Sequence, residues 1–372
     1  MLRVGITGQG GFIGTHLSNA LSLEPAKFIV VNYNRNYFDD ENKLDGFVLS
    51  CDVIVHLAAL NRHNNPNVIY ETNISLVNAL IASFERTKSN PHIIFSSTSQ
   101  ENKDNVYGRS KKEGRELLKR WSLKSNATFT GIIIPNVFGP FGDPFYNSVV
   151  ATFCHQLTHG LETKIDVDGQ LKLIYVTELV EEIVNIIKDK TSKASCIIQH
   201  TSEAKVSEVL ALLKKYKNTY QDDGEIPKIS SVFELNLFNT FRCYMNIKGH
   251  FPVKMVEHVD SRGSFVEILR LGIGGQVSFS TTLPGVVRGN HFHTRKIERF
   301  AVIKGQALIQ LRRINSVEVL EFYLDGKEPS YVDIPIWYTH NIKNIGEEVL
   351  YTSFWINEPY NPEDPDTYFT EV

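Results

Sequence analysis

The chain has 372 residues, 42% of them hydrophobic and 22% charged, with a formal net charge of -3. That length exceeds what one hydrophobic core usually organises, so two domains are expected, and the ordinary globular composition excludes a disordered or fibrous protein. Lysines and arginines are scattered, leaving no basic stripe for nucleic acid, and no apolar run reaches the ~20 residues of a membrane helix.

The N-terminus enters a strand pattern at once, without a charged and apolar leader, which predicts a cytoplasmic protein. Cys51, Cys154, Cys196 and Cys243 lie far apart with no Cys-x-x-Cys pair, so they read as reduced, buried side chains.

Leu2 to Thr7 is an apolar strand that runs into Gly8-Gln9-Gly10-Gly11-Phe12-Ile13-Gly14, after which His16 to Leu23 reads as a helix. A glycine turn between strand and helix lets backbone N–H groups approach a pyrophosphate, which the helix N-terminus stabilises. Gly8, Gly11, Phe12, Ile13 and Gly14 are therefore candidate cofactor contacts. The next strand, Phe28 to Asn32, continues as Tyr33-Asn34-Arg35 and offers no carboxylate to ribose hydroxyls. Arg35 suits a ribose phosphate instead, so NADPH is predicted over NADH. Buried-strand runs at Val53 to Leu57, Ile93 to Ser96 and Thr130 to Ile134 alternate with helical stretches such as Asn73 to Arg86 and Ser110 to Trp121. That alternation predicts an α/β fold, a Rossmann-like doubly wound parallel sheet.

The Ile93 run ends in the hydroxyls of Ser97, Thr98 and Ser99, and Tyr107 and Lys111 stand at i and i+4, one helix turn apart on one face. An ammonium beside a phenol lowers its pKa, which would make Tyr107 a usable proton donor to a carbonyl oxygen receiving hydride. The Thr7 to Gly14 motif, Thr98 (or Ser97) and the Tyr107 and Lys111 pair together resemble the extended short-chain dehydrogenase/reductase family. His56-Leu57-Ala58-Ala59, Asn136-Val137-Phe138-Gly139-Pro140 and Ile174-Tyr175-Val176 are similar to further segments of it, to about residue 245. The resemblance implies Thr98, Tyr107 and Lys111 as catalytic residues, with Tyr107 and Lys111 also contacting the cofactor. Only nine positions separate Thr98 from Tyr107, fewer than in most sugar-modifying members, so the family's sugar contacts are not carried over. Ser99-Gln100 stand where the 4,6-dehydratases of the family carry an Asp-Glu pair, which favours ketone reduction over elimination.

Helical patterns at Ser207 to Tyr216 and Ser231 to Met245, around a polar break at Gln221 to Lys228, are read as the end of a first domain, residues 1–247. From Lys248-Gly249 onward, short strands such as Phe265 to Leu269, Gln276 to Thr281, Arg299 to Ile303, Ala307 to Arg312 and Val349 to Trp355 predict an all-β barrel or jelly roll, residues 248–372. Within it, Gly285, His291, His293, Glu298 and Gly305 are spaced Gly-x5-His-x-His-x4-Glu-x6-Gly, and Pro335, His340 and Asn344 follow. Residues two apart on a strand share a face, so His291 and His293 can project together, with Glu298 and His340 from other strands. Three imidazoles and a carboxylate suit a divalent ion, Zn2+ first, with iron, nickel or manganese as alternatives.

This spacing resembles the cupin superfamily, with Trp337 where glycine is usual. Asp260 to Glu267 and Gly285 to Phe292 are similar to its deoxy-keto-sugar 3,5-epimerases. The position matching their general base is His291, which the cupin pattern uses as a ligand. Either the ion binds the enolate oxygen and another residue, such as Tyr351, is the base, or the ion is structural. Arg262 and Arg288 are candidates to hold a nucleotide diphosphate. A reductase joined to such a cupin resembles the bifunctional nucleotide-sugar enzymes of capsular-polysaccharide synthesis. That resemblance implies a UDP-linked 4-keto-6-deoxy-HexNAc substrate, C3 epimerisation followed by C4 reduction, and a homodimer. The alternative is a keto-sugar reductase whose cupin only stabilises a dimer through its metal.

Overall fold

The computed structural model describes residues 1–261 and 263–372, so the expectation placed on Arg262 lies outside the described residues. It divides into two compact units, Met1–Thr152 with Ile165–Val206, and Phe153–Lys164 with Ser207–Val372. Among the described residues no helix is long and apolar enough to cross a membrane.

The first unit is built on a parallel sheet of β1 (Leu2–Thr7), β2 (Phe28–Val31), β3 (Val53–His56), β4 (His92–Thr98), β5 (Phe129–Ile134) and, after β6 (Asn136–Phe138) and β7 (Gln170–Tyr175), β8 (Lys193–Ile197). The order is β2-β1-β3-β4-β5-β8, while β9 (Ser202–Lys205) joins β6 and β7 in a small separate sheet. The connecting helices are α1 (Phe12–Ser22), α2 (Glu41–Leu49), α3 (Pro66–Thr87), α4 (Val106–Ser125), α5 (Val149–Thr158), which from Phe153 is counted with the second unit, and α6 (Val176–Asp189).

Alternate residues of a strand face opposite layers. Val55 and Ile94 therefore pack with Leu17 of α1 and Ile183 of α6, while Ile54, Ile93 and Phe95 pack with Leu80 of α3 and Leu118 of α4. Burial on both faces explains why these strands read as continuous apolar runs. The chain leaves β1 for β2 on one side and returns through β3 to β5 on the other. The sheet's switch point thus lies between β1 and β3, where doubly wound sheets bind ligands beyond the strand ends.

In the second unit, α7 (Val206–Tyr216), α8 (Val232–Arg242) and α9 (Ile247–His250) precede the strands. Residues 207–247, read from sequence with the first domain, pack here. The Tyr220 hydroxyl donates to Asp333 (2.8 Å) and Arg242 to the Ile334 carbonyl (2.9 Å), and Ile247 lies in the core of the β structure. After β10 (Val253–Lys254) and the β11 (Glu257–Asp260) and β12 (Gly263–Val266) hairpin come β13 (Gln276–Thr282), β14 (Val287–Phe292), β15 (Glu298–Lys304), β16 (Gln306–Arg313), β17 (Val319–Asp325), β18 (Ser330–Ile334), β19 (Tyr338–Asn344), β20 (Leu350–Ile356) and β21 (Tyr368–Phe369). They form two five-stranded antiparallel sheets, β10-β18-β15-β20-β13 and β17-β16-β19-β14-β21. Val302 and Val332 of one share a core with Ile309, Leu311 and Ile342 of the other, the two-sheet jelly roll expected.

Candidate functional site

In the first unit the helix after the glycine turn begins at Phe12, earlier than the His16 read from sequence, so Gly14 is inside α1. The glycines are dictated by contact. Gly8 has φ +76°, and a Cβ there would lie 2.9 Å from the Ala58 amide nitrogen beyond β3; a Cβ on Gly14 would lie 2.9 Å from both Gln9 Cα and Gln9 O. Beneath the turn Thr7 Oγ1 bonds His56 Nδ1 (2.6 Å), and burial pushes His56 down to about 3, so it is neutral at pH 7. Gly8, Gly11 and Gly14 line a cleft of about 1100 Å³ together with Thr98 and Tyr107, while Phe12 and Ile13 border it at the start of α1. These backbone features fit a dinucleotide pyrophosphate.

Arg35 is exposed, at the start of a 3-10 turn (Arg35–Asp39), and is not part of the cleft wall. Burial raises the Tyr33 phenol to about 12, and the charge of Arg35, two positions on, pulls it back.

Asn105 caps α4, accepting from Gly108 N at 2.6 Å, and this sets Tyr107 in the first turn of the helix. A Cβ on Gly108 would lie 2.9 Å from the Gln100 carbonyl carbon, so glycine lets the helix start against the turn that follows β4. That turn is short because it folds back on itself, with Glu101 N to Thr98 O at 3.1 Å and Lys103 N to Gln100 O at 2.9 Å. Glu101 points inward to a buried two-pronged pair with Arg115 (2.8 and 2.9 Å), so the acid nearest Thr98 is held away from the cleft. Ser97 donates to the same carboxylate, and Thr98 Oγ1 accepts from Gln100 N at 3.2 Å.

Lys111 is 2% exposed, with Nζ 3.4 Å from Ser96 Oγ and 4.4 Å from the Phe95 ring centre. Burial lowers its pKa to about 7, against the pull of Glu101. Tyr107 departs from expectation: burial, with Tyr146 nearby, pushes its phenol up to about 12. Desolvation disfavours a phenolate, and a lysine that is itself half-deprotonated at neutral pH offers little charge to offset it.

In the second unit His291, His293, Glu298 and His340 present one donor atom each, all within 4.8 Å of one another. His293 Nε2 and His340 Nε2 stand 3.1 and 3.2 Å from Glu298 Oε2. These three atoms are buried without a hydrogen-bond partner among the described residues, as converging lone pairs for an ion would be. Burial would raise the Glu298 pKa, but the two histidines hold it well below the carboxylate range. The donors fit a divalent ion. A bulge in β14 explains the aim of His291. Gly289 (φ +105°) and Asn290 (φ +59°) shift the register so that Arg288 opposes Ile342 while His291 opposes His340. Cross-strand partners share a face, so Arg288, exposed, and His291 both point to the ligand side.

Tyr351 does not. Glu298 and Phe300 oppose Ile356 and Phe354 on the inner face, where Phe300 lies against His340 (5.8 Å between ring centres), and alternation turns Tyr351 outward, 40% exposed. Sequence reasoning missed Ser96, whose hydroxyl also reaches the His56 carbonyl at 3.0 Å, and Asp366, whose carbonyl accepts from His293 Nδ1. An Asn three residues before Gly108 was a readable cap signal; Asp366 had none.

Residues 4–198 match the NAD dependent epimerase/dehydratase family and residues 258–368 the polysaccharide biosynthesis C-terminal domain. A Pseudomonas aeruginosa protein named UDP-2-acetamido-2,6-beta-L-arabino-hexul-4-ose reductase is 31% identical over 100% of this chain and 99% of its own. The crystal structure of the capsular polysaccharide assembling protein CapF from Staphylococcus aureus is similar over 100% of both chains, at 33% identity and TM-score 0.64. The spore coat polysaccharide biosynthesis protein SpsL of Bacillus subtilis is 30% identical over 32% of this chain and 86% of its own.

Proposed function

The chain belongs to the NAD dependent epimerase/dehydratase family, and on that premise we propose a bifunctional nucleotide-sugar enzyme, an NADPH-dependent keto-sugar reductase built on the first unit joined to a C3-epimerising cupin built on the β structure of the second. Its substrate is a UDP-2-acetamido-2,6-dideoxy-4-hexulose and its product UDP-2-acetamido-2,6-dideoxy-L-talose, on the route to UDP-N-acetyl-L-fucosamine. The name of the Pseudomonas relative supports the reduction of a UDP-linked hexulose, and the full-length likeness to CapF supports the pairing of the two halves. The observation that carries the reading is the glycine cradle, Thr98 and Tyr107 meeting in one cleft, with Lys111 one turn along α4.

Gly8, Gly11 and the start of α1 hold the cofactor's pyrophosphate and Arg35 its ribose phosphate. NADPH, when bound, supplies the hydride to C4. Tyr107 gives its proton to the C4 oxygen as negative charge develops there, and with a pKa near 12 it is fully protonated and ready to donate at neutral pH. Thr98 Oγ1 keeps its own proton to orient that oxygen, and Lys111, one turn along α4, holds the ribose.

In the cupin, the C4 ketone acidifies the C3–H bond, so a base takes the proton from one face and the carbon is reprotonated on the other. With Tyr351 facing outward, the base falls to His291, and Arg288 on the same face binds the diphosphate. His291 is a base only while it is not a ligand, which leaves His293, Glu298 and His340 to hold the ion. A divalent ion, zinc first, supplies positive charge to the site when bound. The protein acts as a homodimer in this reading.

Tyr107→Phe tests the division of labour. It removes NADPH oxidation while deuterium still enters C3 from solvent; loss of exchange in a folded variant refutes the reading. The burial of His293, Glu298 and His340 favours one competitor, a cupin whose ion is only structural, in which wild-type protein oxidises NADPH with no exchange.

A further inference from the structure

The C-terminal segment returns to the metal-ligand cluster. Asp366 is 3% exposed, and its carboxylate accepts from Thr294 N (3.0 Å), Thr294 Oγ1 (2.6 Å), Arg295 N (3.0 Å) and Lys296 N (3.2 Å). Three consecutive amides and a hydroxyl thus converge on one anion. The residues that donate them form the loop between His293 and Glu298, so one carboxylate fixes a connection that has a ligand at each end.

The same residue reaches His293 through its backbone, where the Asp366 carbonyl meets His293 Nδ1. A carbonyl can only accept, so Nδ1 carries the proton and Nε2 turns its lone pair toward the cluster. Asp366 adopts φ +41°, a left-handed backbone that a non-glycine residue holds only when its surroundings fix it. They do. Lys296 Nζ donates to the Pro365 carbonyl (2.8 Å) and Arg295 to Asp364 (2.7 Å). Beyond, Thr370 N donates to the Asn290 carbonyl (2.9 Å) beside His291, and Thr339, next to His340, donates to the Thr370 carbonyl.

We infer that Asp366 is a positioning residue for the metal centre: it locks the His293 tautomer and the 294–296 loop, and the C-terminal segment is the clasp that sets the cupin's affinity for its ion. The inference rests on the metal-binding reading of the cluster. A residue that merely caps a loop would change the stability of the metal-free protein and leave affinity unchanged.

The test strips full-length protein with a chelator, follows its metal-free melting, and titrates zinc against a chromophoric competitor for wild type, Asp366→Ala, Asp366→Asn and Thr294→Val. Outer-shell partners of metal-bound histidines set affinity by about 10–100-fold, the loss expected for Asp366→Ala. An asparagine oxygen still accepts from backbone amides, so Asp366→Asn stays within about threefold of wild type. Thr294→Val removes only the hydroxyl donor and weakens zinc several-fold, which keeps the inference testable if Asp366→Ala fails to fold. In cobalt-loaded Asp366→Ala or Thr294→Val the visible ligand-field bands shift. Wild-type zinc affinity in every folded variant overturns the inference while leaving the metal site standing. A wild-type chain that binds no zinc, iron, nickel or manganese removes the metal reading and the inference with it.

Discussion

Adding one methyl group at Gly14 perturbs the cofactor cradle with nothing else in play. A Cβ there lies 2.9 Å from Gln9 Cα and 2.9 Å from Gln9 O, and also runs into the Gly8 carbonyl oxygen. All are backbone atoms, so no side chain can swing aside. Carbon contacts relax at about 3.5–4.0 Å, and the Gly8 oxygen is nearer than either Gln9 atom, so turn and helix must part by at least about 1 Å. Alanine gains up to about 1 kcal/mol over glycine in a helix, and overpacking costs about 1–3 kcal/mol, so the fold survives with a modest net loss. The displacement falls on the donors that face the pyrophosphate. A misplacement of about 1 Å costs roughly 10²-fold, the loss predicted for kcat/KM with NADPH in Gly14→Ala. Gly10 is the control, because a Cβ there meets nothing within 4 Å; Gly10→Ala keeps wild-type kcat/KM. Steady-state kinetics, with thermal melts to verify folding, decide the matter. Equal losses in the two variants, or none in Gly14→Ala, would mean that the cofactor does not sit on this cradle.

Charge-assisted hydrogen bonds are worth about 1.5–3 kcal/mol, so Arg35→Ala should weaken NADPH by roughly 10–100-fold and leave NADH unchanged. Fluorescence titration with both cofactors reads this, and equal losses would move the ribose phosphate elsewhere. Lys111 predicts a pH effect on stability. Its folded pKa, about 7 through burial, lies below the 10.5 of an ordinary lysine. Between those values the unfolded chain binds a proton that the folded one does not, so stability rises with pH across the window, is full above the unfolded pKa, and is lost as pH falls through the folded one. Urea midpoints of the cofactor-free protein at pH 7 and pH 9.5 should diverge more in wild type than in Lys111→Met, by a few kcal/mol as an upper bound at 1.36 kcal/mol per pKa unit. Matching pH dependence in the two proteins would contradict the buried ammonium.

The parts of this molecule written in local pattern were readable. The glycine turn, the four-residue step from Tyr107 to Lys111 and the His-x-His pair are set by helix and strand periodicity alone, and the structure gathers the first into one cleft and the last into one ligand cluster. What failed to show was set by neighbours distant in sequence. The Tyr107 pKa depends on how dry the cleft is rather than on helix spacing, and so moves opposite to the expected direction. The outward turn of Tyr351 follows from strand pairing in the β15 and β20 ladder, where the register shifts between Val302 and Lys304. Residues 207–247 read as generic helix, yet the buried Tyr220, Arg242, Arg299 and Asp333 network pins them to the β structure. The Asp366 carbonyl that meets His293 is a group every residue has, and the amide its carboxylate accepts from at Thr294 lies 72 positions away, so neither contact leaves a local pattern.

A reductase and an epimerase in one chain should act in sequence on one sugar. Proton NMR of the protein in deuterated water with the UDP-4-keto-6-deoxy-HexNAc substrate, first without and then with NADPH, reads both steps in one sample. Deuterium should enter at C3 before NADPH is added, and the ketone should be lost once it is present. Reduction without prior exchange would contradict that order and leave the cupin as a scaffold.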